Sequence, residues 1–400
     1  MSEQKKKGKL SFFALDPKCD KYINWAVALL LLIGTFTIVS TNVGKTTYAP
    51  NIVPKVIVKQ SIFCVCGYIA MWFMNRFFRF RWYSKIEWCI VPLCLFIMIL
   101  PFAFPEIGGS HAWIQIAGIS LQPSEFAKPL LLIICATCLY RAKKKSIMLK
   151  EKGRLFKRAW AAFICICIIV LFQKDTAVII GFIFISCIMI PKYPVLQHTQ
   201  RVLKVLIYGG IISGVVLFGF TNIGNEILKH TSFGHIAVRV ENFKDPYNDV
   251  YGDGYQPANS LYGIASSNIV GKGIGNSARK YGYLTQADND YILAVLIEET
   301  GIFGLFGLVI LYGIIEFRLF YYAFKTSENM YKIILGGAGV YLFMHFFLNA
   351  GGVASLIPFT GVPLLFISSG GTSLISIMLT MGLAQNCICA IRRREMDRLS

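Results

Sequence analysis

The stretch IAVRVENFKDPYNDVYGDGYQPANSLYGIASSNIVGKGIGNSARKYGYLTQADNDYILAVLIEE (residues 236–299) is a polar interruption in a chain that otherwise consists mostly of long apolar runs. It concentrates Asp, Asn, Gly and Tyr, and it contains Asp288-Asn289-Asp290, where an apolar helix is predicted to begin. A membrane protein that devotes about seventy residues to a single polar loop is expected to carry out its function there.

The sequence around this stretch has the composition of an integral membrane protein. Its 400 residues are 55% hydrophobic and 15% charged, and long apolar runs recur as bilayer-crossing helices require. We predict an all-α integral membrane protein whose domain, residues 22–391, has ten transmembrane helices and a large extracytoplasmic loop, residues 222–290, between helices 7 and 8. The predicted spans are residues 22–41, 57–75, 86–104, 124–140, 159–173, 176–192, 203–221, 290–316, 331–352 and 362–391.

The distribution of Lys and Arg predicts the orientation of these spans. Basic residues crowd into the N-terminal tail (1–21), the C-terminal tail (392–400) and alternate loops, whereas the loops 105–123 and 353–361 contain none. By the positive-inside rule, both termini lie in the cytoplasm and the 222–290 loop lies outside the bacterial cytoplasmic membrane. This distribution accounts for the formal charge of +19 without nucleic acid as a partner, and it allows the tails to contact anionic membrane lipid.

An outside location restricts the chemistry of the loop. ATP is absent there, so a reaction that requires energy needs a substrate that is already activated. The GKGIG run (Gly271, Gly273 and Gly275) therefore predicts a tight backbone turn and not a nucleotide-binding loop, because no strand precedes it.

Asp290 is the leading candidate for chemistry, and two interpretations of it stay open. Asn289 or Asp290 could cap the following helix, whose N-terminus favours negative charge. Alternatively, Asp290 accepts a proton or holds a divalent cation at the membrane surface. Glu298 and Glu299 follow two turns later, where a buried charge needs compensation. We expect a structural or cavity-lining role for them, each with its own partner.

Two further groups are candidate binding residues. Arg239, Lys272 and Lys280 are cations available outside, either solvated or positioned to bind a pyrophosphate or phospholipid head group. A second outer segment has Trp113 as an interfacial anchor and a polar helix start in which Glu125 and Lys128 can pair on one face. The polar residues of that helix start are Gln122, Ser124, Glu125 and Lys128.

Three motifs resemble those of the shape, elongation, division and sporulation (SEDS) family, which includes RodA, FtsW and SpoVE. They are QPSEFAK, the GYQ…GKGIGNSARKYGYL run that contains Gln256, and NAGG…LIPFTGVPLLFISSGGTS. The resemblance covers nearly the whole chain in the right order. It departs from the family at Ala112, where an Arg is usual, in the shortened segment Gln173-Lys174-Asp175-Thr176, and at His345, where a Gln is usual.

The resemblance implies a peptidoglycan glycosyltransferase that polymerises lipid II and releases undecaprenyl pyrophosphate from the growing glycan. It implies a class B penicillin-binding protein, a transpeptidase, as partner. The family's catalytic Asp stands in a pattern like LPEAHTDF, which matches LTQADNDY here and assigns the role of general base to Asp290. The resemblance assigns substrate binding to the candidate cations, the outer-segment residues, Gln256 and Glu299. A divalent cation, Mg²⁺ or Mn²⁺, is a candidate cofactor.

Two other functions remain open. A lipid II flippase or another lipid or solute transporter would place its polar groups in the middle of the membrane on repeat-related helices. A non-catalytic scaffold for a cross-linking enzyme would tolerate substitution of Asp290.

Overall fold

The computed structural model describes residues 15–47, 49–107, 109–116, 119–144, 156–175, 178–189, 202, 205 and 234–399. These residues are mainly helical, and a short antiparallel hairpin pairs β1 (Ile114–Ile116) with β2 (Ile119–Leu121). The all-α prediction missed this hairpin, which lies in the outer 105–123 segment. The helices are α1 (Lys21–Val43), α2 (Ile52–Phe77), α3 (Phe80–Ile99), α4 (Ser124–Lys144), α5 (Lys157–Phe172), α6 (Val178–Met189), α7 (Gly234–Lys244), α8 (Tyr255–Ala265), α9 (Ile292–Lys325), α10 (Asn329–Val353) and α11 (Gly371–Leu399).

Six helical segments in the described part of the chain are long and apolar enough to cross a membrane: α1, α2, α3 with its 3-10 extension, α9, α10 and α11. The predicted spans at 124–140, 159–173 and 176–192 also form helices, namely α4, α5 and α6. However, α5 has 16 residues and α6 has 12. At about 1.5 Å per residue, α5 does not reach the thickness of a hydrocarbon core, whereas α6 is bordered on both sides by residues outside the described ones. The span predicted at 203–221 lies outside the described residues.

Acidic and basic side chains hold the ends of several helices together at one end of the bundle. Asp20 caps α1 by accepting from the backbone N–H groups of Tyr22 and Ile23, and it binds the guanidinium groups of Arg318 in α9 and Arg392 in α11. The distribution of basic residues predicts that these parts of α1, α9 and α11 lie on the same side of the membrane.

Helix α9 breaks near its start, and the break anchors the large polar loop. Gly301 has φ 66° and ψ −157°, which is not helical. The backbone of residues 269–273 takes the freed hydrogen bonds: the N–H of Lys272 donates to the carbonyl of Glu298 at 2.9 Å. Gly271 has φ 82°, and a Cβ there would lie 2.3 Å from the Glu299 carbonyl oxygen. The predicted tight turn is therefore confirmed as a packing device.

The connection from α10 to α11 is not helical where a span was predicted. The predicted span begins at residue 362, but α11 begins at Gly371. Instead, the 354–370 segment binds the backbone just before α9. Ser368 Oγ donates to the carbonyl of Asn289 at 2.8 Å, and the N–H of Ser369 donates to that of Asp288 at 3.0 Å. Pro, Gly and Ser residues oppose helix formation here and supply these local hydrogen bonds.

Candidate functional site

A cavity of about 590 Å³ opens at the end of the bundle opposite Asp20, where α4 and α11 begin. Polar and charged side chains from segments distant in the sequence line it. The structure thus brings most of the predicted site residues together. Those lining the cavity are Trp113, Gln122, Ser124, Glu125, Lys128, Arg239 and Asp290.

Asp290 stands two residues before α9 in a fixed backbone. Asn349 Nδ2 donates to the Asp290 carbonyl at 2.9 Å, and the neighbouring Tyr291 ring stacks on Phe359 with 4.5 Å between centroids. The N-cap of α9 is Tyr291, and no side chain caps the helix there. The capping interpretation of Asn289 and Asp290 is therefore wrong, because the chain reaches the helix one residue later than capping requires.

The electrostatic surroundings of Asp290 suit a proton acceptor. Burial raises the pKa of its carboxyl to about 7; the positive charge of Arg239 acts in the opposite direction, and the negative charge of Asp288 adds to the rise. Among the described residues, no hydrogen bond reaches this carboxylate. A carboxylate with a pKa near the working pH can accept a proton and release it again.

Arg239 reaches the same point from α7, inside the polar loop. A Cβ added at Gly361 would lie 3.7 Å from Asp290 Oδ2 and 3.9 Å from Arg239 Nη2, so both groups face this glycine. Burial lowers the pKa of the guanidinium group, and the Asp290 carboxylate opposes that effect. The site therefore pairs its candidate base with a cation that can also contact a phosphate.

A second cation enters the cavity from α4. Lys128 Nζ lies 2.6 Å from Glu125 Oε1, which confirms the predicted pairing, and 3.1 Å from His345 Nε2. His345 Nδ1 lies 3.0 Å from the Pro363 carbonyl, which can only accept, so Nδ1 carries the proton and Nε2 accepts from Lys128. Lys128 is thereby held in one orientation at the wall of the cavity.

Asp175 belongs to the cavity although the sequence analysis did not select it as a site residue. It follows Lys174, which has a φ of 55° just after α5 ends. Asp175 Oδ2 accepts from Gln122 Nε2 at 2.7 Å and from Ser124 Oγ at 2.8 Å. The three residues form one polar wall of the cavity. The sequence alone did not show this, because Asp175 is distant from Gln122 and Ser124 along the chain.

Lys272, Lys280 and Glu299, which were predicted to bind substrate, do not line this cavity. Lys272 Nζ lies 2.6 Å from Glu298 Oε1, and Lys280 Nζ lies 3.3 Å from Glu299 Oε1. Ser277 Oγ also donates to Glu298 at 2.5 Å. These residues form a separate polar cluster that fixes the loop to α9. Glu298 and Glu299 thus each have a lysine partner of their own, as expected.

Gln256 lines a smaller adjoining cavity of about 190 Å³. The two cavities share Arg239, Gln286 and Asp290, so Asp290 stands at their junction. Gln256 Oε1 is buried and accepts no hydrogen bond from the part of the chain that the structure describes. Both cavities therefore offer polar groups to a substrate that reaches Asp290.

A protein-only metal cage does not occur within the described ranges, since no group of three His, Cys, Asp or Glu side chains there could hold an ion. Asp288 and Asp290 both line the cavity. One or two carboxylates together with substrate phosphates are the usual ligands of Mg²⁺, so the residues present fit that kind of site.

Comparison with known proteins places this site in a family. The model of the FtsW, RodA and SpoVE cell cycle proteins matches residues 21–392. A protein of Bacillus subtilis named probable peptidoglycan glycosyltransferase FtsW is 29% identical over 94% of this chain and 92% of its own length. The peptidoglycan glycosyltransferase RodA of Mycobacterium leprae is 32% identical over 70% of this chain and 59% of its own length.

A solved structure has the same fold. It comes from a study of polymerisation and crosslinking by a peptidoglycan synthase complex, and it matches with a TM-score of 0.67 and 21% identity over 92% of this chain and 97% of that one. The family model, the Bacillus subtilis relative and the solved structure each match nearly the full length of the chain. The chain therefore belongs to the FtsW, RodA and SpoVE family of cell cycle proteins.

Proposed function

We propose that this protein is a peptidoglycan glycosyltransferase that polymerises lipid II into glycan strands at the outer face of the cytoplasmic membrane. The relatives' names give the enzyme class. The observation that carries the proposal is the carboxyl of Asp290, whose pKa lies near 7 in a cavity that also presents Arg239 and Lys128.

The chemistry requires a base and a cationic surface. A hydroxyl of the acceptor sugar attacks the anomeric carbon of the lipid-linked donor, and its proton passes to Asp290. A new glycosidic C–O bond forms while the bond to the pyrophosphate oxygen breaks, and undecaprenyl pyrophosphate leaves. Arg239 and Lys128 can offset the negative charge that builds on the departing pyrophosphate, so the leaving group needs no separate acid.

The proposed topology has ten spans, with both termini in the cytoplasm and the 222–290 loop outside. The sidedness, though not the number of spans, is supported by the position of the Asp20, Arg318 and Arg392 cluster at one end of the bundle and of the cavity at the other. Lipid II carries its own activation, so an outside cavity needs no nucleotide. A class B penicillin-binding protein is the proposed partner, in keeping with the solved complex of similar fold.

A divalent cation, Mg²⁺ or Mn²⁺, remains the proposed cofactor. Asp288, whose Oδ2 also lies 3.4 Å from Lys45 Nζ, is the side chain that would hold it together with phosphate oxygens of the substrate, because Asp290 must stay free to accept a proton. Such an ion supplies positive charge to a leaving pyrophosphate.

The test is polymerisation of purified lipid II in detergent, with the partner transpeptidase added. Wild type should form glycan chains and Asp290→Asn should form none, while Asp245→Asn, an exposed acid-to-amide change in the same loop, should retain activity. Gel filtration of all three proteins shows whether they are folded. Equal activity of Asp290→Asn would refute the base assignment, and lipid II translocation in liposomes without polymer would favour a flippase.

A further inference from the structure

A second large cavity, of about 570 Å³, lies at the end of the bundle that holds Asp20. It is formed where α2 ends, α3 and α10 begin and α11 approaches its C-terminus. Four arginines line it against a single acidic residue, and we call it the arginine pocket. Its charged residues are Arg76, Arg79, Arg393, Arg394 and Asp16.

The acidic groups nearby balance only half of these arginines. Arg393 pairs with Asp16, and Arg394 Nη1 lies 2.8 Å from Glu328 Oε1. Arg76 and Arg79 have no acidic partner among the residues that the structure describes. Like charges gathered around one cavity repel each other, and an anion in the cavity would remove that repulsion.

The walls of the pocket are rigid. Asn386 of α11 donates to the Asn75 carbonyl at 2.7 Å and also reaches the Phe78 carbonyl, so it satisfies free carbonyls at the end of α2. One turn earlier on α11, a Cβ at Gly382 would lie 2.2 Å from the Met71 carbonyl oxygen, which shows how closely the two helices pack. The helices that form the pocket are therefore closely packed against each other.

Neighbouring groups position two of the arginines, and an exposed Trp marks their height in the membrane. The Arg394 guanidinium lies 5.4 Å from the centre of the Tyr331 ring, and Arg79 Nη1 donates to the Phe78 carbonyl at 2.9 Å. Trp82 follows Arg79 by three residues and is 65% exposed. Exposed Trp beside Arg is typical of the interface between hydrocarbon and head groups. Lipid phosphates occupy that same level.

We propose that the arginine pocket binds the phosphate of an anionic phospholipid head group from the cytoplasmic leaflet. Guanidinium groups bind phosphate through paired hydrogen bonds, and basic pockets between membrane helices are suited to such head groups. The pocket lies at the opposite end of the bundle from Asp290. Lipid binding there is independent of the proposed polymerisation chemistry.

The test uses the full-length protein in detergent micelles that contain phosphatidylglycerol or phosphatidylcholine, with retained lipid counted by native mass spectrometry. Wild type should retain phosphatidylglycerol in preference to phosphatidylcholine. Arg76→Gln/Arg79→Gln should bind it roughly 30-fold more weakly, the effect expected for two basic side chains at a bilayer surface. Arg81→Gln/Lys85→Gln removes the same charge from exposed residues outside the pocket and should lose much less.

A single-residue variant and a comparison of two salts complete the experiment. Arg79→Gln alone changes one exposed side chain, and it should still weaken phosphatidylglycerol binding if the double variant does not fold. Potassium phosphate, compared with potassium chloride at equal ionic strength, should not displace the lipid. Displacement by phosphate would assign the pocket to a free anion. An equal loss of phosphatidylglycerol binding in both double variants would overturn the proposal. So would a wild type that does not prefer phosphatidylglycerol, which is the result expected if the pocket binds an acidic protein.

Discussion

Substitution of Arg239 by Gln should shift the pH dependence of polymerisation, because Arg239 lowers the pKa of Asp290. Asp290 Oδ2 and Arg239 Nη2 lie 3.7 Å and 3.9 Å from the position of a Cβ added at Gly361. The two charged groups are therefore at most about 8 Å apart. At an effective dielectric constant of about 20, this charge pair is worth about 2 kcal/mol. Its loss raises the pKa of Asp290 by about 1.5, from about 7 to above 8.

The assay is kcat/KM for lipid II polymerisation as a function of pH, expressed as the ratio of Arg239→Gln to wild type. Ionisation of lipid II affects both proteins equally and cancels in this ratio. Because the carboxylate is the active form of a base, wild-type activity rises with pH through about 7. The ratio should increase roughly 30-fold between about pH 6 and about pH 9.5, since the variant ionises later.

Lys244→Gln is the matched control, because Lys244 lies on the same helix α7 but is exposed and does not line the cavity. Its ratio to wild type should not change with pH. A low but constant ratio for Arg239→Gln would mean that Arg239 only binds substrate. A wild-type profile already flat above about pH 5 would refute the raised pKa of Asp290 itself.

Three further substitutions test the separate parts of the site. Asp288→Asn should shift the rise of polymerisation activity with pH to lower pH, because the Asp288 charge raises the pKa of Asp290. An unchanged pH profile would contradict this coupling. Lys128→Met should reduce kcat/KM by about 10²–10³-fold through the lost cation. It should also lower the melting temperature, since Glu125 stays buried without its partner, and full activity would exclude Lys128 from the reaction. Glu298→Gln should lower the melting temperature but leave the pH profile unchanged, and a shifted profile would mean that Glu298 influences the base.

The membrane helices were predictable from sequence where the length of an apolar run alone determined the structure. Long apolar runs identified α1, α2, α3, α9 and α10, because an apolar run of that length has few alternatives to a membrane helix. The start of α11 was not predictable from hydropathy. Residues 362–370 are apolar enough to continue a span, yet the Ser368 hydroxyl and the Ser369 N–H donate to the carbonyls of Asn289 and Asp288, and only the folded chain brings these segments together.

The site was predictable in part, for a similar reason. Local patterns identified the Glu125 and Lys128 pair, since i,i+3 neighbours on a helix must meet. Lys272 and Lys280 could not be separated from Arg239 by sequence, because all three are cations of one polar loop. Their difference lies in which acidic residue the fold places beside each: Glu298 and Glu299 bind the two lysines, whereas Arg239 faces Asp290 across the cavity.

Asp290 differs from the ion-paired acids Asp20 and Glu298 in its surroundings, and its position favours catalysis over transport there. Asp20 and Glu298 each accept several hydrogen bonds and an ion pair, which offsets the cost of burying a charge. The Asp290 carboxylate accepts no such hydrogen bond from the residues that the structure describes, although its backbone carbonyl is held by Asn349. A transporter that couples to protons places such a carboxylate on a helix in the middle of the membrane. Asp290 instead precedes its helix at the junction of two open cavities, where its carboxylate is accessible to the hydroxyl that the proposed reaction deprotonates.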